Sequence, residues 1–322
     1  MAEPPDQAHY EFIADRIMAG AVVAFLGAGV NLCGREDSEL FEVGRHLPSG
    51  SELSEYLAKK VHYPGRDRTD LLRVSQYVAI MAGRQPLYDW LHTVFDADYS
   101  PTPVHRLLAS IPSMIRARPS AQQGFFPLIV TTNYDDALEK AFKDAREEYD
   151  LVTYIAEGPR SGRFLHTSPD GNETIINKPK GYKELRCVER PVIAKIHGAV
   201  VRRMPDQDSF VITENHYIDY LSHTADIKTL IPVNIASRMM QSHFLFLGYS
   251  LKDWNLRVIL HRLWGNGAMG WRFNSWAIQP KPGKIDEKSW GQRGVELFDA
   301  RLEDYIEQLS TSLKNSASTT AA

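Results

Sequence analysis

The sequence predicts an α/β fold, a Rossmann-like doubly wound parallel sheet interrupted by a mostly helical insertion. Three observations point to it. Five short apolar runs are near-continuous instead of alternating, the pattern of strands covered on both faces: Ala21 to Leu26, Leu128 to Thr131, Val192 to Ile196, His243 to Leu247 and Ser275 to Ile278. Stretches with helical spacing lie between them, as a doubly wound sheet requires. Glycine or polar side chains follow most of the runs, where an open parallel sheet presents its carboxyl ends and binds ligands.

Taken in chain order, the first run leads into "FLGAGVNLCG", where Gly27 and Gly29 allow a tight turn and a close approach of backbone amides to a ligand. The full GxGxxG spacing is absent, so this signal is weak alone. An insertion from Gly34 to Phe126 carries helical patterns, including a capping box at Ser49 and Glu52, and is expected to cap the sheet edge. The second run ends in "TTNYDDALEKAF", from Thr131 to Phe142. One Asp or Asn would suffice to cap the helix that follows, and Asn133, Asp135 and Asp136 are all present. A second insertion, Asp144 to Arg190, is rich in Gly, Pro and charge and reads as a weak strand (Leu151 to Ile155) with mobile loops. The third run ends in His197-Gly198. The fourth ends in Gly248-Tyr249-Ser250, with Ser250 and Asp253 spaced as a capping box, and Val295 to Phe298 is a further weak strand. Residues 1–315 read as one domain, and the low-complexity tail 316–322 as disordered.

Composition bounds the function. With 322 residues, 43% hydrophobic and 24% charged, the chain can bury a large core, and a net charge of −3 gives no bulk reason to expect nucleic-acid binding. Two cysteines, Cys33 and Cys187, cannot build a four-thiolate zinc site. Pro4, Pro5 and Asp6 do not read as a secretory leader, and the apolar stretch near Ala19 to Val30 is glycine-broken and too short for a bilayer. A cytoplasmic protein without membrane attachment is the expectation.

Four short motifs now stand in order, each after a predicted strand: Gly27-Ala28-Gly29, Thr131-Thr132-Asn133-Tyr134-Asp135, His197-Gly198 and Gly248-Tyr249-Ser250. This series resembles the sirtuin family, in particular the bacterial sirtuin-like domains that hydrolyse NAD in antiphage defence. The resemblance implies that Asn133 and His197 are catalytic and flank the nicotinamide ribose. It further implies that NAD is held by Gly27, Ala28, Gly29, Val30, Asn31, Thr132, Asp135, Gly248, Tyr249, Ser250 and Asp253, with no metal. It also implies a homo-oligomer, and a partner ATPase or other phage-sensing protein. Two departures count against protein deacylation: no four-cysteine zinc module follows His197-Gly198, and "VNLCGRE" replaces the usual "GIPDFR".

The chemistry fits these residue types. Cleaving the bond between ribose and a cationic leaving group passes through an oxocarbenium-like state. An imidazole near its unperturbed pKa can accept a proton at neutral pH, and a carboxamide can both donate to and accept from water and ribose hydroxyls. The expected activity is therefore NAD glycohydrolysis. The alternatives are an NAD-dependent deacylase, a non-catalytic NAD or ADP-ribose sensor, and a hydride-transfer dehydrogenase.

Overall fold

The computed structural model describes residues 2–118, 125–222, 231–249 and 274–319. Among them a nine-stranded sheet has the order β11-β10-β9-β1-β2-β6-β3-β4-β5. Its strands are β1 (Val22–Leu26), β2 (Leu128–Thr131), β3 (Asp150–Ile155), β4 (Arg163–Thr167), β5 (Glu173–Ile176), β6 (Val192–Lys195), β9 (His243–Leu247), β10 (Ser275–Ile278) and β11 (Val295–Phe298). From β11 to β3 every pairing is parallel, and all five expected strands are present. A separate two-stranded ribbon joins β7 (Gly198–Ala199) to β8 (Ser209–Phe210).

Both sheet faces are covered, which is why the strands read as continuous apolar runs. Val23, Phe25, Val130 and Phe246 look toward a core shared with the helix Val233–Met240 and with Trp290. Ala24, Leu26, Ile129 and Leu245 look the other way. There they meet α1 (Gln7–Met18), α5 (Pro103–Arg116), α6 (Ala137–Asp144) and the C-terminal helix Leu302–Thr319.

A third core gathers α2 (Gly50–Lys60), α3 (Leu71–Met81) and α4 (Arg84–Phe95) against Tyr134, Ala137, Val200 and Phe210. This helical cap therefore rests on the segments that follow β2 and β6. The capping box at α2 is formed as expected: Glu52 N–H donates to Ser49 Oγ at 3.2 Å, and Ser49 N–H donates to Glu52 Oε2 at 2.8 Å.

Three expectations need correction. The cap is α2 to α4 and excludes α5, whose buried Leu107, Leu108 and Ile111 complete the sheet's helical layer. The insertion 144–190 holds more than the one expected strand and loops: β4 and β5 form an antiparallel hairpin beside β3. Its strands are half exposed and carry charge, so their apolar positions are too sparse to register as a run. The C-terminal helix continues to Thr319, past the expected disorder from residue 316. It propagates from a turn anchored by buried Tyr305, Leu309 and Leu313, and extending a formed helix is easier than nucleating one.

Candidate functional site

β1 lies between β2 and β9, so chain connections leave it in opposite directions and open a crevice at its carboxyl end. Gly27 closes the strand, and Ala28–Leu32 form a short 3-10 turn. The Gly27 N–H donates to the Leu247 carbonyl at 3.1 Å, Gly29 N–H to the Gly248 carbonyl at 2.8 Å, and Val30 N–H to the Gly27 carbonyl at 3.1 Å. Three amides of the loop expected to approach a ligand are thus engaged inside the protein.

The glycines serve that contact. A Cβ on Gly248 would lie 2.1 Å from the Val30 nitrogen, and one on Gly29 would lie 2.6 Å from the Gly248 carbonyl oxygen. Gly248 also has φ +63°, a conformation that glycine adopts without a Cβ penalty. The first and fourth motifs are therefore locked backbone to backbone. Gly198 brings β7 onto β8: a Cβ there would lie 2.1 Å from the Ser209 carbonyl oxygen.

The turn after β2 answers the question of surplus caps. Asp135 caps α6, its Oδ1 accepting from Ala137 N–H at 3.1 Å, and its Oδ2 accepts from Asn31 Nδ2 at 3.0 Å. Asp136 pairs through both carboxylate oxygens with Arg202, which also donates to the Asp96 and Ala97 carbonyls at the end of α4. Asn133 is left free of capping. Its backbone N–H donates to Thr131 Oγ1 at 3.0 Å, and its buried carboxamide reaches across to the Gly27 carbonyl at 3.3 Å. Thr132 N–H donates to the Leu26 carbonyl at 3.3 Å, tying this turn to β1.

The chain after β6 runs beside the same turn. Ile196 N–H donates to the Thr131 carbonyl and Val200 N–H to the Tyr134 carbonyl, each at 3.0 Å. His197 lies between them, 2% exposed, with its ring edge-on to Tyr217 and Tyr220 of α7 (Glu214–Ser222). Its Nδ1 lies 3.4 Å from the Tyr217 hydroxyl, while its Nε2 is buried without a hydrogen-bond partner among the described residues. Asn31 Oδ1 is in the same position. Burial pushes the His197 pKa down from 6.5 to about 3, so the ring is neutral and less basic than the sequence led one to expect.

The site residues thus converge in part. Asn31 meets Asp135, Asn133 meets Gly27, and Gly29 and Val30 meet Gly248. Tyr249 packs its ring on Phe25 at 5.5 Å and belongs to the core. Ser250 and Asp253 lie outside the described residues. Lys195 goes unremarked in the sequence, and Arg202 reads there with Arg203 as solvated surface, whereas Arg202 is bound to Asp136 and the end of α4. A lysine within "VIAKIHG" was the available signal for the first, since a cation in a buried strand needs partners. Among the described residues no group of three or more His, Cys, Asp or Glu is placed to hold a metal ion, and no helix is long and apolar enough to cross a membrane.

A doubly wound parallel sheet with polar side chains gathered beside its switch-point strand defines a Rossmann-like α/β domain. Residues 127–298, more than half of the chain, match the SIR2-like domain, and the chain belongs to that family. It is 28% identical over 225 residues to "NAD(+) hydrolase ThsA" of Acinetobacter baumannii (strain 532279), covering 68% of this chain and 37% of that protein. Against the protein of the same name from Enterococcus faecium it is 24% identical over 249 residues, 77% of this chain and 41% of that one. A third, from Cytobacillus dafuensis, is 23% identical over 195 residues, 61% of this chain and 30% of its own. The chain therefore spans less than half the length of each of these curated relatives.

Proposed function

We propose that this chain is an NAD glycohydrolase that releases nicotinamide and ADP-ribose. The observation that carries the reading is the pairing of Asn133 and His197 on adjacent, hydrogen-bonded backbone segments at the carboxyl end of the sheet. Membership of the SIR2-like family and three relatives named NAD(+) hydrolase support it.

In this reading the nicotinamide ribose lies between Asn133 and His197. The Asn133 carboxamide orients a ribose hydroxyl or the attacking water, having both a donor and an acceptor to offer. With its pKa near 3, His197 is a neutral hydrogen-bond acceptor through the unpartnered Nε2. A base this weak does not ionise water in the ground state. It orients the nucleophile, and accepts its proton only as the oxocarbenium-like centre acquires an oxygen and makes that oxygen acidic. Asn31, held by Asp135, offers its free Oδ1 to a further hydroxyl.

We extend the proposal to a cytoplasmic, homo-oligomeric antiphage effector that depletes NAD when a partner ATPase or other phage-sensing protein triggers it. The motif series and its likeness to bacterial sirtuin-like effectors support this part. The test is incubation of the purified chain with NAD and chromatographic identification of the products, with and without an acyl-lysine peptide. Equimolar nicotinamide and ADP-ribose without peptide is the expected result; turnover only with peptide would make the protein a deacylase instead.

A further inference from the structure

Lys195 ends β6 two residues before His197, is 1% exposed, and has no role in the chemistry described so far. Its neighbours along the chain, Val192, Ile193, Ala194 and Ile196, are all core residues. An ammonium has three N–H donors and no acceptor, and three acceptors meet it: Glu139 Oε1 at 2.7 Å, the Asp135 carbonyl, and the Tyr134 carbonyl at 3.5 Å. Glu139 lies in α6, and its carboxyl pKa is raised by burial against the opposing pull of Lys195.

Neutralising the buried charge would need the carboxylate alone. The two carbonyls belong to the residues immediately after Asn133, so the ammonium grips the backbone of the turn that presents the carboxamide. Among the described residues Asn133 itself is held by Thr131 Oγ1 on its N–H and by a 3.3 Å bond to the Gly27 carbonyl. The placement of its side chain therefore follows the path of the turn.

We infer that Lys195 is a positioning residue, whose ammonium fixes the turn 133–136 through the Tyr134 and Asp135 carbonyls and so sets where Asn133 meets the substrate. The inference rests on the NAD glycohydrolase reading for its kinetic consequence, and on the backbone geometry for the rest. A role confined to stability makes a different prediction. A buried ion pair replaced by apolar side chains of similar size often leaves stability unchanged or improved, so an apolar pair in its place would restore the protein fully if the pair were only structural.

The test is the double variant Lys195→Met with Glu139→Leu, with melting temperature, NAD kinetics and amide hydrogen exchange as readouts. The expected result is a melting temperature close to that of the wild type, with kcat lower by about 10²-fold, the scale of a misplaced catalytic group. KM stays within about threefold, because binding is shared among many contacts. Exchange at residues 132–137 becomes faster. Wild-type kcat, or unchanged exchange in that segment, would overturn the inference. Should the wild type not cleave NAD, the functional reading fails separately, and exchange alone decides the role of Lys195. Glu139→Gln serves if the double variant does not fold. It keeps an acceptor for Nζ and both carbonyl contacts, so kcat is expected within about threefold of wild type by the same argument, and a tenfold loss would refute the assignment.

Discussion

Two buried histidines sit at opposite ends of this sheet, and their surroundings differ in one decisive respect. Near the amino end of β3, His166 is fully satisfied: Nε2 meets Asp150 Oδ1 at 3.0 Å, Nδ1 meets the Tyr182 hydroxyl at 2.6 Å, and Arg190 holds the other Asp150 oxygen at 3.0 Å. Here histidine, acid and cation staple the β4 hairpin to the parallel sheet. At the carboxyl end His197 is as deeply buried, yet keeps Nε2 unpartnered among the described residues. A buried polar atom without a partner costs stability, and in the proposed function the substrate or the attacking water supplies that partner. In the proposed function the satisfied cluster around His166 is structural, and the unpartnered Nε2 of His197 meets the substrate.

The largest effect expected from this contrast is on the rate. Asn133→Ala removes the carboxamide while leaving the Asp135 cap of α6 untouched, so the fold should persist and NAD cleavage fall by about 10²–10⁴-fold. Near wild-type turnover by the folded variant would remove Asn133 from the mechanism.

At the other pole the expectation reverses. His166→Ala opens a small cavity and strips a charged hydrogen bond from Asp150, a loss of roughly 2–4 kcal/mol in stability. Turnover per folded molecule should be unchanged below the melting range. If urea unfolding registers no loss, or if activity falls while the fold stays intact, the division into a structural and a working end is wrong.

The smallest effect is on the pH dependence of stability. Burial lowers the pKa of His197 to about 3 and those of His105 and partly buried His9 to about 4, from 6.5 in the unfolded chain. Between those values the unfolded chain binds protons that the native state refuses. Stability is therefore fully present above pH 6.5 and declines as pH falls, by about 1.4 kcal/mol per pH unit for each fully buried ring. Solvent screening makes the contribution of His9 smaller. Buried Glu139 and Asp208, with raised pKa values, act in the opposite direction. A difference measurement isolates one ring: the urea midpoint of His197→Gln should fall less than that of wild type between pH 7 and pH 5. Parallel declines would show that His197 is not desolvated as described.

Much of this was legible in the sequence, for identifiable reasons. Strands buried on both faces announce themselves as continuous apolar runs, and the polar junctions at Asn133 and His197 stand out because the flanking residues are so apolar. The β4–β5 hairpin was not legible, since an edge element half open to solvent has no such contrast. The close backbone contacts of Gly29 with Gly248, Gly248 with Val30 and Gly198 with Ser209 were not legible, because no spacing in the sequence discloses which backbone a glycine will touch. Lys195 read as one polar residue in a strand, and only tertiary packing discloses that its partners are the carbonyls behind Asn133. The lowered basicity of His197 is likewise a property of burial and not of spacing.

The most direct test of the central claim is the ratio of lost rate to lost affinity in His197→Ala. Hydrolysis should drop by about 10²–10⁴-fold. NAD binding by calorimetric titration should weaken by only about 1 kcal/mol, the net worth of one hydrogen bond, because a group that acts on the reacting centre contributes chiefly in the transition state. Loss of binding together with activity would contradict the account and make His197 a structural or anchoring residue.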